Sequence, residues 1–321
     1  MRGLAFRQQA IEHVAEGESR PPRMIILTNP GSNVPPDLVA RYGVELTPQK
    51  IMVDGVEHDT RGEIDFAEID AWVRTAKEHP YVLGTSAAQF TSVFVALAKR
   101  DPQIFAVMTS RKVIQTHDSA VAAKRSLEKQ LGRGQLDVHV ADSGFTDLGA
   151  GFAVALAGEA ARAGRTMEEA AALVDAYRQQ ARFTLVPDTL EYLVKGGRAT
   201  ALRSFMANVL RVKPLIGMVD GELAKLGKVV GSSDRGEAIA SDMERELGQG
   251  RRVWVGVFHG NAPSRASTLA RALSRRFRVE YQCIRPLAAS IYLHMGPGAV
   301  GAVVAPIDRL PFEVPAPPSH A

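Results

Sequence analysis

The sequence predicts a two-domain α/β fold, with a parallel-sheet N-terminal domain and a mixed-sheet α/β C-terminal domain. Three observations carry that expectation. The chain has 321 residues, more than one average core organises. In its first half, short apolar runs ending in turn residues alternate with helical stretches, as βαβ crossovers require. In its second half, Asp220-Gly221 joins two strand-like runs with no room for a crossover, so those strands pair antiparallel. The expected division is a loose extension over residues 1–23, an α/β domain over 24–164, a second over 165–308, and a disordered Pro-rich tail over 309–321.

The first apolar run, 24–28, stops at Asn29-Pro30-Gly31-Ser32-Asn33, the turn chemistry that follows a central parallel strand. Residues 36–42 form a helix that Gly43 ends, because glycine takes positive φ without steric penalty. Asp54-Gly55 turns a small hairpin between 51–53 and Val56. Asp65 followed by Glu68 resembles a capping box, and Phe66, Ile69, Val73 and Ala76 then share a helical face. Strands at 104–108 and 138–141 flank a helix over 117–131. Two Ala-rich helices, 148–163 and 167–181, break at Ala163-Gly164, where the domain boundary is expected. The second half reads as strand 183–186, helix 189–194, hairpin strands 215–219 and 222–226, helix 235–247, strand 253–258, helix 264–277, and strands 279–281 and 299–305.

Composition excludes several classes. Hydrophobic residues are 45% and charged residues 23%, an ordinary globular balance with a sizeable core. The net charge of +4 comes from scattered cations, so no nucleic-acid stripe is expected. The single Cys283 removes internal disulfides and cysteine metal clusters, and it reads as a reduced, buried thiol. No apolar run reaches the roughly 18 residues of a membrane span, and no signal-peptide apolar region opens the chain. A cytoplasmic location follows by elimination, and Met24 is an alternative start.

Four polar segments close strands, where open α/β sheets form their ligand crevice: 28–33 opening on Thr28, Thr85-Ser86, 110–119 opening on Ser110, and 294–298. The hydroxyls of Thr85 and Ser86 suit an anionic oxygen; alternatively they cap a helix over 87–100. His294 precedes Met295-Gly296-Pro297-Gly298, a rigid turn beside which backbone can approach a ligand, although a lone histidine before a turn is more often a structural residue. Lys195-Gly196-Gly197-Arg198 reads as a basic loop for phosphate or an acidic partner, or as a glycine cap with cations at a helix C-terminus. There is no P-loop, GxGxxG, HExxH or GxSxG pattern. These absences trim the enzyme options without identifying catalytic carboxylates, and the residues read as a ligand-binding α/β protein for which no catalytic residue, cofactor or metal is named.

The run Asp188-Thr189-Leu190-Glu191-Tyr192-Leu193, continuing through Lys195-Gly196-Gly197-Arg198, resembles the signature of the DegV family. Asp142-Ser143, Lys213-Pro214, Asp220-Gly221-Glu222, Leu226-Gly227-Lys228 and His294 with Gly296-Pro297-Gly298 support it, over residues 24–307. The resemblance implies a two-domain DegV-like fold with a long-chain fatty acid at the domain junction. It implies a non-enzymatic acyl carrier whose ligand a separate fatty acid kinase subunit phosphorylates to an acyl phosphate for phospholipid synthesis. The carboxylate-binding hydroxyls and histidine of the family map onto Thr85, Ser86, Thr116 and His294, and the kinase-facing loop onto Lys195, Gly197 and Arg198.

This chain also departs from the pattern. The family's Thr-Asp-Ser reads Thr28-Asn29-Pro30, its Ser-Gly before Thr116 reads Ile114-Gln115, and Arg111 stands where a small hydroxyl is usual. Ala87-Ala88-Gln89 follows the Thr-Ser pair, and Val230 replaces a basic residue. Either Gln115 and Thr116 rebuild the head-group contacts, or the ligand or kinase partnership differs. Two further readings stay open: a small-molecule subunit resembling dihydroxyacetone kinases, and an interaction protein that kept the fold without a ligand.

Overall fold

A computed structural model describes residues 24–61, 65–131, 136–197, 212–230 and 234–317. The extension expected over 1–23 lies outside them. The N-terminal half is built on strands β1 (Ile25–Thr28), β2 (Glu45–Leu46), β6 (Gln103–Met108) and β7 (Asp137–Asp142). They form an all-parallel sheet in the order β2-β1-β6-β7. Helices α3 (Ala87–Ala98) and α4 (Thr116–Leu131) cover one face. Phe90, Phe94, Leu97, Ala120, Ala123 and Leu127 bury that contact against Leu27, Ile104, Ala106 and Met108.

A second, antiparallel sheet joins β3 (Lys50–Val53), β4 (Val56–Asp59) and β5 (Tyr81–Leu83) in the order β4-β3-β5. The expected turn closes β3 and β4, with Asp54 at φ 45 and Gly55 at φ 86. Helix α1 (Pro36–Tyr42) ends as predicted on Gly43, at φ 58. Helix α2 (Phe66–Thr75) starts at Asp65, whose carboxylate accepts from the N–H of Ala67 (2.9 Å). The cap is one-sided; Glu68 does not return a bond to complete a box.

The C-terminal half carries β8 (Arg182–Val186), β9 (Val212–Val219), β10 (Glu222–Val230), β11 (Arg252–His259), β12 (Arg278–Pro286) and β13 (Val300–Pro306). Their order is β10-β9-β8-β13-β11-β12, antiparallel except for β11 and β12. Helices α8 (Arg235–Leu247) and α9 (Pro263–Ser274) pack one face, burying Ile239, Met243, Leu269 and Leu273. Two short helices, α7 (Glu191–Lys195) and α10 (Ala289–Met295), point back to the N-terminal half. Cys283 is free and only partly buried, because it lies on the edge strand β12.

Helix α5 (Asp147–Arg162) joins the halves, and α6 (Met167–Gln180) packs beside it. From Asp147 to Ala161 every residue of α5 is buried. The sequence explains this: no charged side chain occurs from Leu148 to Gly158, and a helix apolar all round belongs inside a core. Its glycines allow close approach. A β-carbon on Gly151 would stand 2.6 Å from the Ser32 carbonyl oxygen, and one on Gly158 would overlap the Tyr42 ring. The one buried charge near its end, Glu159, accepts from Tyr42 Oη (2.7 Å) and Arg41 Nε (3.1 Å).

The boundary expected at Gly164 falls at the end of α5, yet the largest core cluster runs through both halves, from Met24 to Val314. The tail differs from expectation as well. Leu310, Phe312 and Val314 pack on that core, and Val314 is buried, so residues 309–317 are seated rather than loose. Arg165 adds a cation–π contact over Phe312, 4.5 Å from the ring centre.

Candidate ligand-binding site

A cavity of about 680 Å³ opens where β1 and β6 end. It lies within the roughly 300–1,000 Å³ typical of small-ligand pockets. Asn29 and Gly31 follow β1, Thr109 follows β6, and Val82, Gly84, Thr85 and Ser86 carry the wall from β5 to the start of α3. The loop before α4 contributes Arg111 to Gln115, α4 contributes Thr116, and α10 contributes Ser290, Ile291 and His294. Thr146, at the N-cap of α5, completes it.

Five residues singled out in the sequence meet here: Thr85, Ser86, Gln115, Thr116 and His294. Thr85 is buried, and its hydroxyl lies 2.6 Å from the Pro48 carbonyl and 2.8 Å from Thr47 Oγ1. Ser86 lines the cavity and also caps α3 in a full capping box with Gln89. The capping reading of Ser86 is what the structure shows, with its hydroxyl also donating to Gln89 Oε1 (3.0 Å), while the residue borders the cavity. Thr116 Oγ1 is buried without a hydrogen-bond partner. It sits against Gly84, where a β-carbon would stand 2.7 Å from that oxygen.

Two other sequence candidates do not line the cavity. Thr28 donates to the Val107 carbonyl (2.7 Å), and Ser110 donates to the Gly221 carbonyl (2.6 Å). Each hydroxyl proton is committed to backbone, Thr28 within the sheet and Ser110 to the β9–β10 turn. Position at a strand end could not reveal this, because successive strand side chains face opposite sides.

Two residues that the sequence reading does not name as ligand-binding stand in it. Asn29 is fully buried; its Oδ1 accepts from the Thr109 N–H (3.1 Å) and hydroxyl (3.3 Å), while Nδ2 has no partner. Thr146 occupies an N-cap yet makes no cap bond, and its buried Oγ1 is also without a partner. The sequence signals were the strand-end position of Asn29, its departure from the family pattern, and a threonine opening an Ala-rich helix.

The rim is basic but paired. Arg111 faces Asp118 at 3.2 Å and Lys112 faces Glu222 at 3.1 Å, with all four side chains about half exposed. The Asp118 carboxyl is held below the usual carboxylate range, chiefly by His117 (3.0 Å) and further by Arg111. Such exposed pairs contribute little stability.

The predicted partner segment adjoins this wall. Lys195 pairs with Glu191 (2.8 Å) at the end of α7, and Gly197 takes φ 71 just past it, as a glycine after a helix does. Arg198 lies outside the described residues. Gly196 packs directly on the His294 imidazole. Behind the site, Asp147 is wholly buried at φ 50. Its carboxylate accepts from Asn33 Nδ2, the Leu148 N–H and the Ala288 N–H, each at 2.9 Å. Burial pushes its carboxyl up to about 6 despite those donors.

A neighbouring cavity of about 590 Å³ lies across the Pro30–Ser32 turn, with Val34, Val39, Leu46, Phe66 and Leu287 among its apolar walls. Among the described residues, no group of three or more His, Cys, Asp or Glu could hold a metal, and no helix is long and apolar enough to cross a membrane.

Fold and site together define an α/β protein with a parallel sheet, a mixed sheet and a polar-lined cavity at its strand ends. A sequence description of the DegV family, whose members it calls uncharacterised proteins, matches residues 23–306, and the chain belongs to that family. It is 28% identical over 279 residues to a DegV domain-containing protein of Caldanaerobacter subterraneus subsp. tengcongensis, covering 87% of this chain and 97% of the relative. It is 25% identical over 289 residues to a fatty acid-binding protein of Thermotoga maritima, covering 88% and 98%. A solved Thermus thermophilus structure, described as fatty acid binding of a DegV family protein, superposes with a TM-score of 0.81 at 24% identity. That match covers 88% of this chain and 99% of the other, and it bears out the predicted fold.

Proposed function

We propose that this chain is a cytoplasmic, non-catalytic carrier. It binds a long-chain fatty acid with its carboxylate in the cavity at the end of β1 and β6, and it presents that carboxylate to a separate fatty acid kinase subunit. The observation that carries the reading is that three residues lining one cavity each hold a buried polar atom without a partner: Asn29 Nδ2, Thr116 Oγ1 and Thr146 Oγ1. Each such atom costs about 1–3 kcal/mol if left unpaired, so a ligand that supplies acceptors is favoured. Gln115 and His294 border the same space, and Val82, Val113, Ile114 and Ile291 give it apolar walls. The adjoining apolar cavity across the Pro30–Ser32 turn offers space for the acyl chain.

The relative described as a fatty acid-binding protein supports this ligand class. The kinase would approach Lys195, Gly197 and Arg198, whose neighbour Gly196 touches His294. Native mass spectrometry of the purified chain, before and after delipidation and reloading, tests the ligand. A protein that neither carries nor takes up a fatty acid overturns the proposal. For the partner, Arg198→Ala is expected to leave binding intact and slow acyl phosphate formation by an added fatty acid kinase; unchanged formation removes Arg198 from that role.

A further inference from the structure

We infer that Asn29, with Thr146, is the donor set that receives the anionic end of the ligand, and that Asn29 selects a carboxylate over an uncharged amide head group. The inference rests on the fatty-acid reading above and names the residues that set its specificity.

The orientation of the Asn29 amide is fixed by its surroundings. The backbone N–H of Thr109 can only donate, so the atom facing it at 3.1 Å is the amide oxygen. The Thr109 hydroxyl meets the same oxygen at 3.3 Å. Nδ2 is therefore the free end, buried and without an acceptor, on a residue that lines the cavity. Gly31 keeps space open beside it: a β-carbon there would stand 3.0 Å from Nδ2 and 3.5 Å from Ser290 Oγ.

Thr146 points the same way. It has the extended backbone of an N-cap, φ −130 and ψ 172, yet its hydroxyl accepts nothing from the helix. N-cap threonines ordinarily satisfy a first-turn N–H; here the residue lines the cavity and its buried hydroxyl is left without a partner, which a ligand could supply. The 16-residue helix behind it presents its positive end at this point, which favours an anion. The neighbouring acid, Asp147, is not part of the lining, and its oxygens are engaged by Asn33, Leu148 and Ala288.

An amide nitrogen has no lone pair to offer a donor, so the group it receives must be an acceptor. A carboxylate satisfies it fully, and a primary amide only through its single oxygen. Asn29→Asp is a close test, because one carboxylate oxygen keeps the acceptor for Thr109 while the other replaces Nδ2. At neutral pH the variant is expected to bind octadecanoate at least about tenfold more weakly, since like charges then face each other. It is expected to hold or gain affinity for octadecanamide, whose N–H groups can donate to the new oxygen. Equal octadecanoate affinity in variant and wild type, with circular dichroism showing both folded, overturns the inference alone. Should Asn29→Asp not fold, Thr146→Val decides: an octadecanoate loss of about tenfold supports the assignment and no loss overturns it. A wild-type chain that takes up no octadecanoate defeats the fatty-acid reading, and this inference with it.

Discussion

Gly196 lies so close to His294 that any β-carbon at position 196 would overlap the imidazole Nδ1. The glycine is not there for its backbone, whose φ of −77 suits any residue. It is there for space, and it makes the α7 segment part of the wall that fixes the histidine. Gly196→Ala is therefore expected to cost about 1–3 kcal/mol by overpacking. In a His294→Ala background the same change should cost much less, as urea titrations of the four proteins would reveal. An equal cost in both backgrounds would mean that the contact is not the cause.

Asp70 on α2 accepts from two tyrosines of the other half, Tyr192 Oη at 2.9 Å and Tyr292 Oη at 3.0 Å. Phe66 stacks on Tyr292 with ring centres 3.9 Å apart. Burial first, and the Asp70 carboxylate second, push the Tyr192 phenol up to about 12 and raise Tyr292 too. Tyr292→Phe should lower stability by roughly 1–3 kcal/mol, the cost of taking a donor from a partly buried carboxylate. In the folded wild type, ultraviolet difference titration should find both phenols ionising above their ordinary range.

Asp147 gives a pH signature. Its folded carboxyl titrates at about 6, above its ordinary value of 3.8, so the folded state holds the proton more tightly than the unfolded chain does. The resulting stabilisation is complete below the unfolded value and is lost as pH rises through about 6. Wild type should therefore gain roughly 1 kcal/mol relative to Asp147→Asn between pH 7 and pH 5. Denaturant titrations at the two pH values check this; a constant difference would mean that Asp147 titrates normally.

Ile114 lines the cavity beside Gly84, where its Cδ1 would stand 3.2 Å from an added β-carbon. It offers no hydrogen bond to a head group. Ile114→Ser would restore a donor next to Thr116 and is expected to tighten octadecanoate binding by about tenfold, the worth of one bond to a charged group. Weaker binding in calorimetric titration would show that the isoleucine serves the ligand through apolar contact instead.

Most of the fold was legible because its signals are local. Asp220-Gly221 announces a hairpin, and the structure places those residues at φ 49 and 83. Asp234 caps α8 through the Gly236 N–H at 2.8 Å, and α8 spans the residues its periodicity predicts. Helix α10 was missed: its N-cap is Ala288, which offers no side-chain bond, and its seven residues are too few for a clear period. β2, with two residues, and β5, with three, were missed for the same shortness.

At the site, the residues carried over by resemblance came together, whereas Thr28 and Ser110, chosen for position alone, turned to backbone carbonyls. The donor roles of Asn29 and Thr146 are not legible in the sequence for a different reason. What marks them is a missing bond, and a sequence records which groups a residue has, not which of them remain unpaired.

Helix α5 carries a consequence for how the molecule comes apart. It is sheathed in protein along nearly its whole length, by β1 and β6 of the parallel sheet and by β11 and β13 of the mixed sheet. Neither half can close its interior unless this one rod is in place, so loss of either sheet strips the other of a wall. Heating should accordingly melt the chain in a single calorimetric event, and a polypeptide cut at Gly164 should leave two pieces that only a mixture restores.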